Sequence, residues 1–385
     1  MIRNLIVQLA LLTLLAGCSM FGDKDNAEPP AELEKFEEQV SLKRVWSRST
    51  GSGADEQLVN LVPTVSADTV FVADRNGSVH AYQLENGKPL WSSKTGVAIS
   101  AGPGIGEGLV LVGSSNGVVV ALSVDDGSEL WRANVTSEVL SVPQVEEGVV
   151  IIQTVDGNLA GLEATSGERR WLSERSVPVL TLRGTSTPLV RDGVVLAGFA
   201  NGKIAAFEVD SGRIAWEAPV AVAQGRSELQ RIVDVDARSV VHQGVLYVTS
   251  FQGNMAAVSL SDGRIIWNRE MSSYAGIAVD YSQVYVSDAD SELWALDRDS
   301  GASLWKLDKL RKRAMTGPVA IDDYVGVGDF EGYLHLMSRV DGRFVARVKV
   351  DSDGILATPV ALDEQLLVLG AGGKLVLFDI RALDS

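Results

Sequence analysis

The chain has 385 residues, 46% of them hydrophobic, and sets 34 Lys+Arg against 50 Asp+Glu for a formal net charge of −16. That acidity excludes a basic footprint for nucleic acid or for anionic lipid, because both repel an acidic surface, and it points to protein partners. A single cysteine, Cys18, excludes an internal disulfide.

Residues 1–17 read as a signal peptide, with Arg3 as the positive end and LIVQLALLTLLAG as a 13-residue apolar core. That core is shorter than the roughly 20 residues a membrane helix needs. Leu15-Ala16-Gly17-Cys18 resembles the bacterial lipobox, in which the cysteine becomes the acylated N terminus after cleavage. Several acyl chains make a firm anchor where one alone is marginal. Ser19, not Asp, stands directly after Cys18, which resembles an outer-membrane address facing the periplasm. Residues 18–41 are expected to form a tether, with Pro29 and Pro30 amid acidic and basic residues. Within it Leu33, Phe36 and Val40 fit one face of a short helix, and a disordered segment fits them equally.

Residues 42–381 are expected to form one domain, because a single pattern repeats through them. A turn glycine is followed four positions later by tryptophan in Gly87/Trp91, Gly127/Trp131, Gly167/Trp171, Gly212/Trp216, Gly263/Trp267 and Gly301/Trp305. The tryptophans are 40, 40, 45, 51 and 38 residues apart. Short Val/Leu/Ile/Ala runs between Asn-Gly, Asp-Gly and Ser-Gly turns read as strands, and four strands fit each unit. Units of about 40–45 residues built this way are propeller blades. A seventh unit keeps Gly342 but has Ala346 where tryptophan is expected, a departure that bears on blade packing. The last unit, through LLVLGAGGKLVLFDI, has three strands, and LKRVWS near the N terminus supplies the fourth. The expectation is therefore an all-β, eight-bladed propeller of four-stranded antiparallel blades, closed by pairing its two ends, which leaves no open edge. The repeated tryptophans serve as packing between blades, and Trp294, outside the register, reads as a strand residue that packs.

Catalytic motifs do not survive their context. Gly113-Ser114-Ser115-Asn116-Gly117 matches GxSxG, but that motif acts on a strand-to-helix elbow and here falls on a strand-to-strand turn. His80, His242 and His335 lie on different blades without metal-ligand spacing. The glycines of GPGIGEG and GAGGK miss both nucleotide-binding spacings. Asp288 and Asp290 lack the Gly and Glu that would complete a calcium loop.

Departures from the repeat point to a surface, because loops on a rigid frame carry recognition. Most inter-blade connections run 11 to 13 residues from the tryptophan, but Trp171 to Pro188 spans 17 and Trp216 to Ser239 spans 23. Both flank one blade, so they emerge side by side. The first carries Val179-Leu180-Thr181-Leu182-Arg183-Gly184 and the second Arg231-Ile232-Val233-Asp234-Val235-Asp236. In extended chain Leu180 and Leu182 point one way, as do Asp234 and Asp236. Leucines beside an arginine and a carboxylate pair suit a docking patch; leucines folded over the blade, with aspartates solvating a loop, suit the sequence equally.

The turn glycine and late tryptophan resemble the blade of pyrroloquinoline-quinone (PQQ) dehydrogenases. Lipobox, length, eight units and the VLTLRG and DVD segments together resemble the BamB family, lipoproteins of the outer-membrane β-barrel assembly machinery, over essentially the whole chain. That resemblance implies no catalysis and no cofactor. It implies binding to the periplasmic POTRA (polypeptide-transport-associated) domains of BamA, assistance to outer-membrane proteins as they fold and insert, and possible contact with unfolded clients. The family's BamA-contacting residues match Leu180, Leu182, Arg183, Asp234 and Asp236 here. A PQQ-dependent enzyme is the alternative; that class shows an adjacent cysteine pair and a calcium site, and this chain has no second cysteine.

Overall fold

Eight blades of four antiparallel strands follow one another among the described residues, the first blade built from Thr64–Ser66, Thr69–Ala73, Ser78–Gln83 and Pro89–Lys94. The computed structural model describes residues 28–178, 180–182 and 186–383. Cys18, the signal peptide and Arg183 lie outside them. From Ala31 onward the described chain forms one compact unit.

The middle strands of each blade read as unbroken apolar runs because both of their faces are covered. In the second blade, Val110, Val112, Val120 and Leu122 pack with Phe71, Ala73, Val79 and Ala81 of the first. Their neighbours Leu109, Leu111, Val119 and Ala121 turn the other way, onto Val150, Ile152, Ala160 and Leu162 of the third. Alternation along a strand thus divides its side chains between two interblade layers. The outer strands have only one covered edge and alternate visibly, as in Ile265–Glu270.

Glycine and tryptophan of the repeat act at different joints. The tryptophan of one blade lies on the turn glycine of the next: Trp46 on Gly87, Trp91 on Gly127, Trp131 on Gly167, Trp171 on Gly212, Trp216 on Gly263, Trp267 on Gly301 and Trp305 on Gly342. A Cβ added at Gly127 would fall 2.4 Å from the Trp91 ring, and the residue sits at φ +72°. Only glycine meets both demands. Each indole N–H also crosses the joint, Trp91 donating to the Val124 carbonyl at 3.0 Å and Trp131 to that of Ala164 at 2.8 Å. All eight outer strands carry a register shift at the residue before this position, Leu130 and Ile266 among them. A bulge there turns the large side chain into the joint.

The ring closes as expected, with the N-terminal strand longer than LKRVWS. Val40–Ser49 pairs antiparallel with Lys374–Ala382, from Val40↔Ala382 to Ser49↔Lys374. Residues 31–39, expected as tether, helix or disordered chain, form no helix; they run extended along the outside of the seventh blade, Gln39 N–H donating to the Val345 carbonyl at 2.9 Å. Ahead of the first blade, Asn60–Leu61 adds a short parallel strand to Ala101–Gly102.

Candidate docking platform

Strand direction gives the ring two faces. The Gly/Trp turns lie on one; the interblade connections and the turns at 74–77, 114–117 and their equivalents lie on the other. The two long connections flank the fourth blade, whose strands are Leu189–Arg191, Val194–Gly198, Lys203–Glu208 and Ile214–Pro219, and both belong to the connection face.

The longer of them leaves the blade where the Val220 and Ala221 N–H groups donate to the Gly202 carbonyl. Polar residues dominate 222–231, and that stretch is exposed throughout, with a 3-10 turn at Leu229–Arg231. The apolar Ile232-Val233 and Val235 then bring the chain back over the blade. Val235 N–H donates to the Phe199 carbonyl at 3.3 Å, and Phe251 N–H to the Asp234 carbonyl at 2.8 Å. This return buries Asp234 completely.

Two bonds tie the connections together. Leu182 N–H donates to Asp234 Oδ2, and Ser186 Oγ donates to the Ala237 carbonyl at 3.1 Å. At the base Arg175 pairs with Glu217 at 2.6 Å and lies over Phe199, 4.7 Å from its ring centre. Leu180 is 43% exposed at the crest, whereas Leu182 is half-buried.

The structure therefore brings Leu182 and Asp234 into direct contact and corrects the picture of a solvated aspartate pair. Asp234 is an internal clamp, and Asp236, half-buried, follows it. Burial pushes the Asp234 carboxyl up to about 6 against the opposing bond from Leu182. Burial, and then the charge of Asp234, push Asp236 up to about 7. Near neutral pH the pair thus holds less than two full negative charges. The exposed apolar side chains Val222 at 70% and Leu229 at 65% extend the same platform; sequence reasoning passed over them, although apolar residues in a Gln/Ser/Arg-rich connection were the available signal.

The other motifs are structural. Ser115 sits on a turn and its Oγ accepts from Arg75 at 2.6 Å. Asp288 binds the N–H groups of Asp290 and Glu292 and the Trp294 indole, and Trp294 lies beneath Arg269 and Lys306. His335 donates from Nε2 to Asp329 at 2.9 Å while its Nδ1 accepts from Arg347 at 3.0 Å, so the ring is neutral. Among the described residues no three His, Cys, Asp or Glu side chains converge as a metal site.

Fold and platform define a PQQ-like repeat propeller whose largest departure from its own repeat is a pair of coupled loops. The family model described as outer membrane protein assembly factor BamB matches residues 75–307, and the chain belongs to that family. It is 48% identical to outer membrane protein assembly factor BamB of Pseudomonas aeruginosa, over 97% of this chain and 98% of that one. Identity to the protein of that name in Escherichia coli is 36%, over 96% and 97%. The crystal structure of BamB from Moraxella catarrhalis superposes with a TM-score of 0.81 at 27% identity, covering 88% of this chain and 100% of that one. Quinohemoprotein alcohol dehydrogenase from Comamonas testosteroni gives 0.71 at 14% identity, over 89% and 78%, and shares the fold alone.

Proposed function

We propose that this chain is a non-enzymatic scaffold of outer-membrane protein assembly. It docks on the POTRA domains of BamA through its paired loops and assists β-barrel proteins as they fold and insert. Cys18 anchors it to the outer membrane by lipid, facing the periplasm, behind a signal peptide of residues 1–17. Leu180, Leu182, Arg183, Asp234 and Asp236 are the BamA-binding residues in this reading, with buried Asp234 also bonding the Leu182 N–H from within. The observation carrying this reading is the bond from Leu182 N–H to buried Asp234, which makes one preorganised surface of two loops that are 52 residues apart in sequence. Preorganisation spares a binding partner the ordering cost of loose loops.

Capture of BamA by the membrane-extracted protein is the test. Leu180→Asp places a charge at the exposed crest and is expected to leave the melting temperature unchanged while abolishing capture. Undiminished capture by Leu180→Asp and by Arg183→Glu would place the contact elsewhere.

A further inference from the structure

The fourth strand of the eighth blade begins at Val40, opposite Ala382, on the turn face. A chain running straight from an anchor to Val40 would leave the ring on that face, away from the platform. Residues 31–39 prevent this. They lie along the outer edge of the seventh blade, beginning at the connection Asp308–Pro318 and ending beside Val345, next to the turn at 339–343. The chain therefore enters on the connection face and crosses to the turn face before its first strand begins.

The segment is held along its whole length. At its start Ala31 N–H donates to the Arg311 carbonyl at 2.9 Å, and buried Arg313 donates from Nη1 to the Ala31 carbonyl at 3.0 Å. In the middle Lys309 pairs with Glu34 at 2.8 Å, and Arg347 donates to the Glu34 carbonyl at 2.9 Å. Leu33 packs on the core around Leu310 and Met315. Phe36 stacks on Phe344 with ring centres 5.3 Å apart, and the Arg347 guanidinium lies 5.0 Å from both rings. Beyond it, Gln39 bonds Val345 through its backbone and Arg343 through its side chain. Arg313 and Arg347 are themselves fixed by Asp329 and His335, so the dock is built into the blade.

We propose that the outer edge of the seventh blade is a docking site for residues 31–39, and that this strap sends the lipid anchor out of the connection face, the face that carries the docking platform. The inference rests on the reading of Cys18 as the acylated residue. Cys18 and Ala31 are 13 residues apart, so at ~3.3–3.6 Å per extended residue the point where the strap meets the connection face stays within about 45 Å of the bilayer. Without the strap the leash is 22 residues long, reaches about 75 Å, and leaves from the opposite face.

The test uses full-length lipidated protein in phosphatidylcholine vesicles carrying a headgroup quencher. A fluorophore is placed at Ser352→Cys on the connection face or at Ser261→Cys on the turn face, both exposed positions. Quenching is expected to be several-fold stronger at 352, with the ratio falling toward one in Phe36→Ala/Arg347→Gln and in Gln39→Pro, which removes the N–H donated to Val345. Equal quenching in the unmodified chain, or a ratio unmoved by both variants, overturns the routing. Hydrogen exchange on the Cys18→Ser chain separates the two premises: the Ala31 and Gln39 amides are expected to be protected, and to lose protection in Phe36→Ala/Arg347→Gln. Unprotected amides overturn the dock even where mass spectrometry finds acyl chains on Cys18. Protected amides without acylation overturn the anchor reading, and the routing with it.

Discussion

Replacing Gly167 by alanine tests whether the tryptophan joints depend on the missing Cβ. Gly167 has φ +74°, and a Cβ there would lie 2.6 Å from Trp131 Cε3. The ring has little room to retreat: Trp131 is 8% exposed and its indole N–H is bonded to the Ala164 carbonyl at 2.8 Å. Gly108 is the control, with φ +78° and nothing within 4 Å of its added Cβ. Both substitutions carry the left-handed backbone cost of roughly 1–2 kcal/mol. Gly167→Ala adds an overpacking term of about 1–3 kcal/mol, for a total of about 2–5 kcal/mol. Urea unfolding followed by far-ultraviolet circular dichroism reads the difference as a midpoint shift at constant slope. In a Trp131→Leu background the extra cost of Gly167→Ala should shrink to that of Gly108→Ala, since the coupling resides in the pair. Equal midpoints for the two glycine variants in the unmodified background would refute the ring contact as the reason for glycine.

Asp234→Ala leaves the Leu182 N–H without its acceptor, and losing such a bond costs about 1–3 kcal/mol; faster hydrogen exchange at Leu182, with little change at the strands Val245–Thr249 and Asn254–Ser259, is the expected signature. His335 gives a pH dependence. Burial, opposed by Asp329, lowers its pKa, so below the unfolded value of about 6.5 the unfolded chain binds a proton that the folded chain refuses. This contribution of His335 is lost as pH drops through that window, opposite in sign to that of Asp234 and Asp236, whose raised carboxyls take up protons in the fold. It is therefore read as a difference, the gap in unfolding midpoint between the unmodified chain and His335→Gln narrowing as pH falls.

The ring was legible in the sequence because its joints require particular chemistry at a fixed interval. A left-handed turn against an indole admits glycine and little else, so Gly127, Gly167 and Gly212 report the fold on their own. The platform was legible by position, through loop length, but the behaviour of its residues was not. Asp-Val-Asp alternates like a surface strand, and Asp234 is buried only because Phe199 and Phe251, from two neighbouring blades, supply backbone partners on either side of it. The strap was less legible still. AELEKFEEQ reads as solvated chain, and its partners Arg313, Phe344 and Arg347 lie some 280–310 residues away.

Ala346 follows from the closure of the ring. A tryptophan in this repeat needs the turn glycine of the following blade, and the outer strands of the eighth blade come from opposite ends of the chain, with no turn between them to carry one. The space is filled instead by Val40, which clusters with Val345, Ala346 and Phe378, and the strap crosses just outside. Ala346→Trp restores the repeat in sequence and should nevertheless destabilise the protein. Its indole would displace Val40, overpack a site that is 2% exposed and cost about 1–3 kcal/mol, and exchange of the Gln39 amide should quicken as the start of the closing strand is pushed away. A higher unfolding midpoint in Ala346→Trp would show that the joint tolerates an unpaired indole, and that the missing turn is not the reason for alanine.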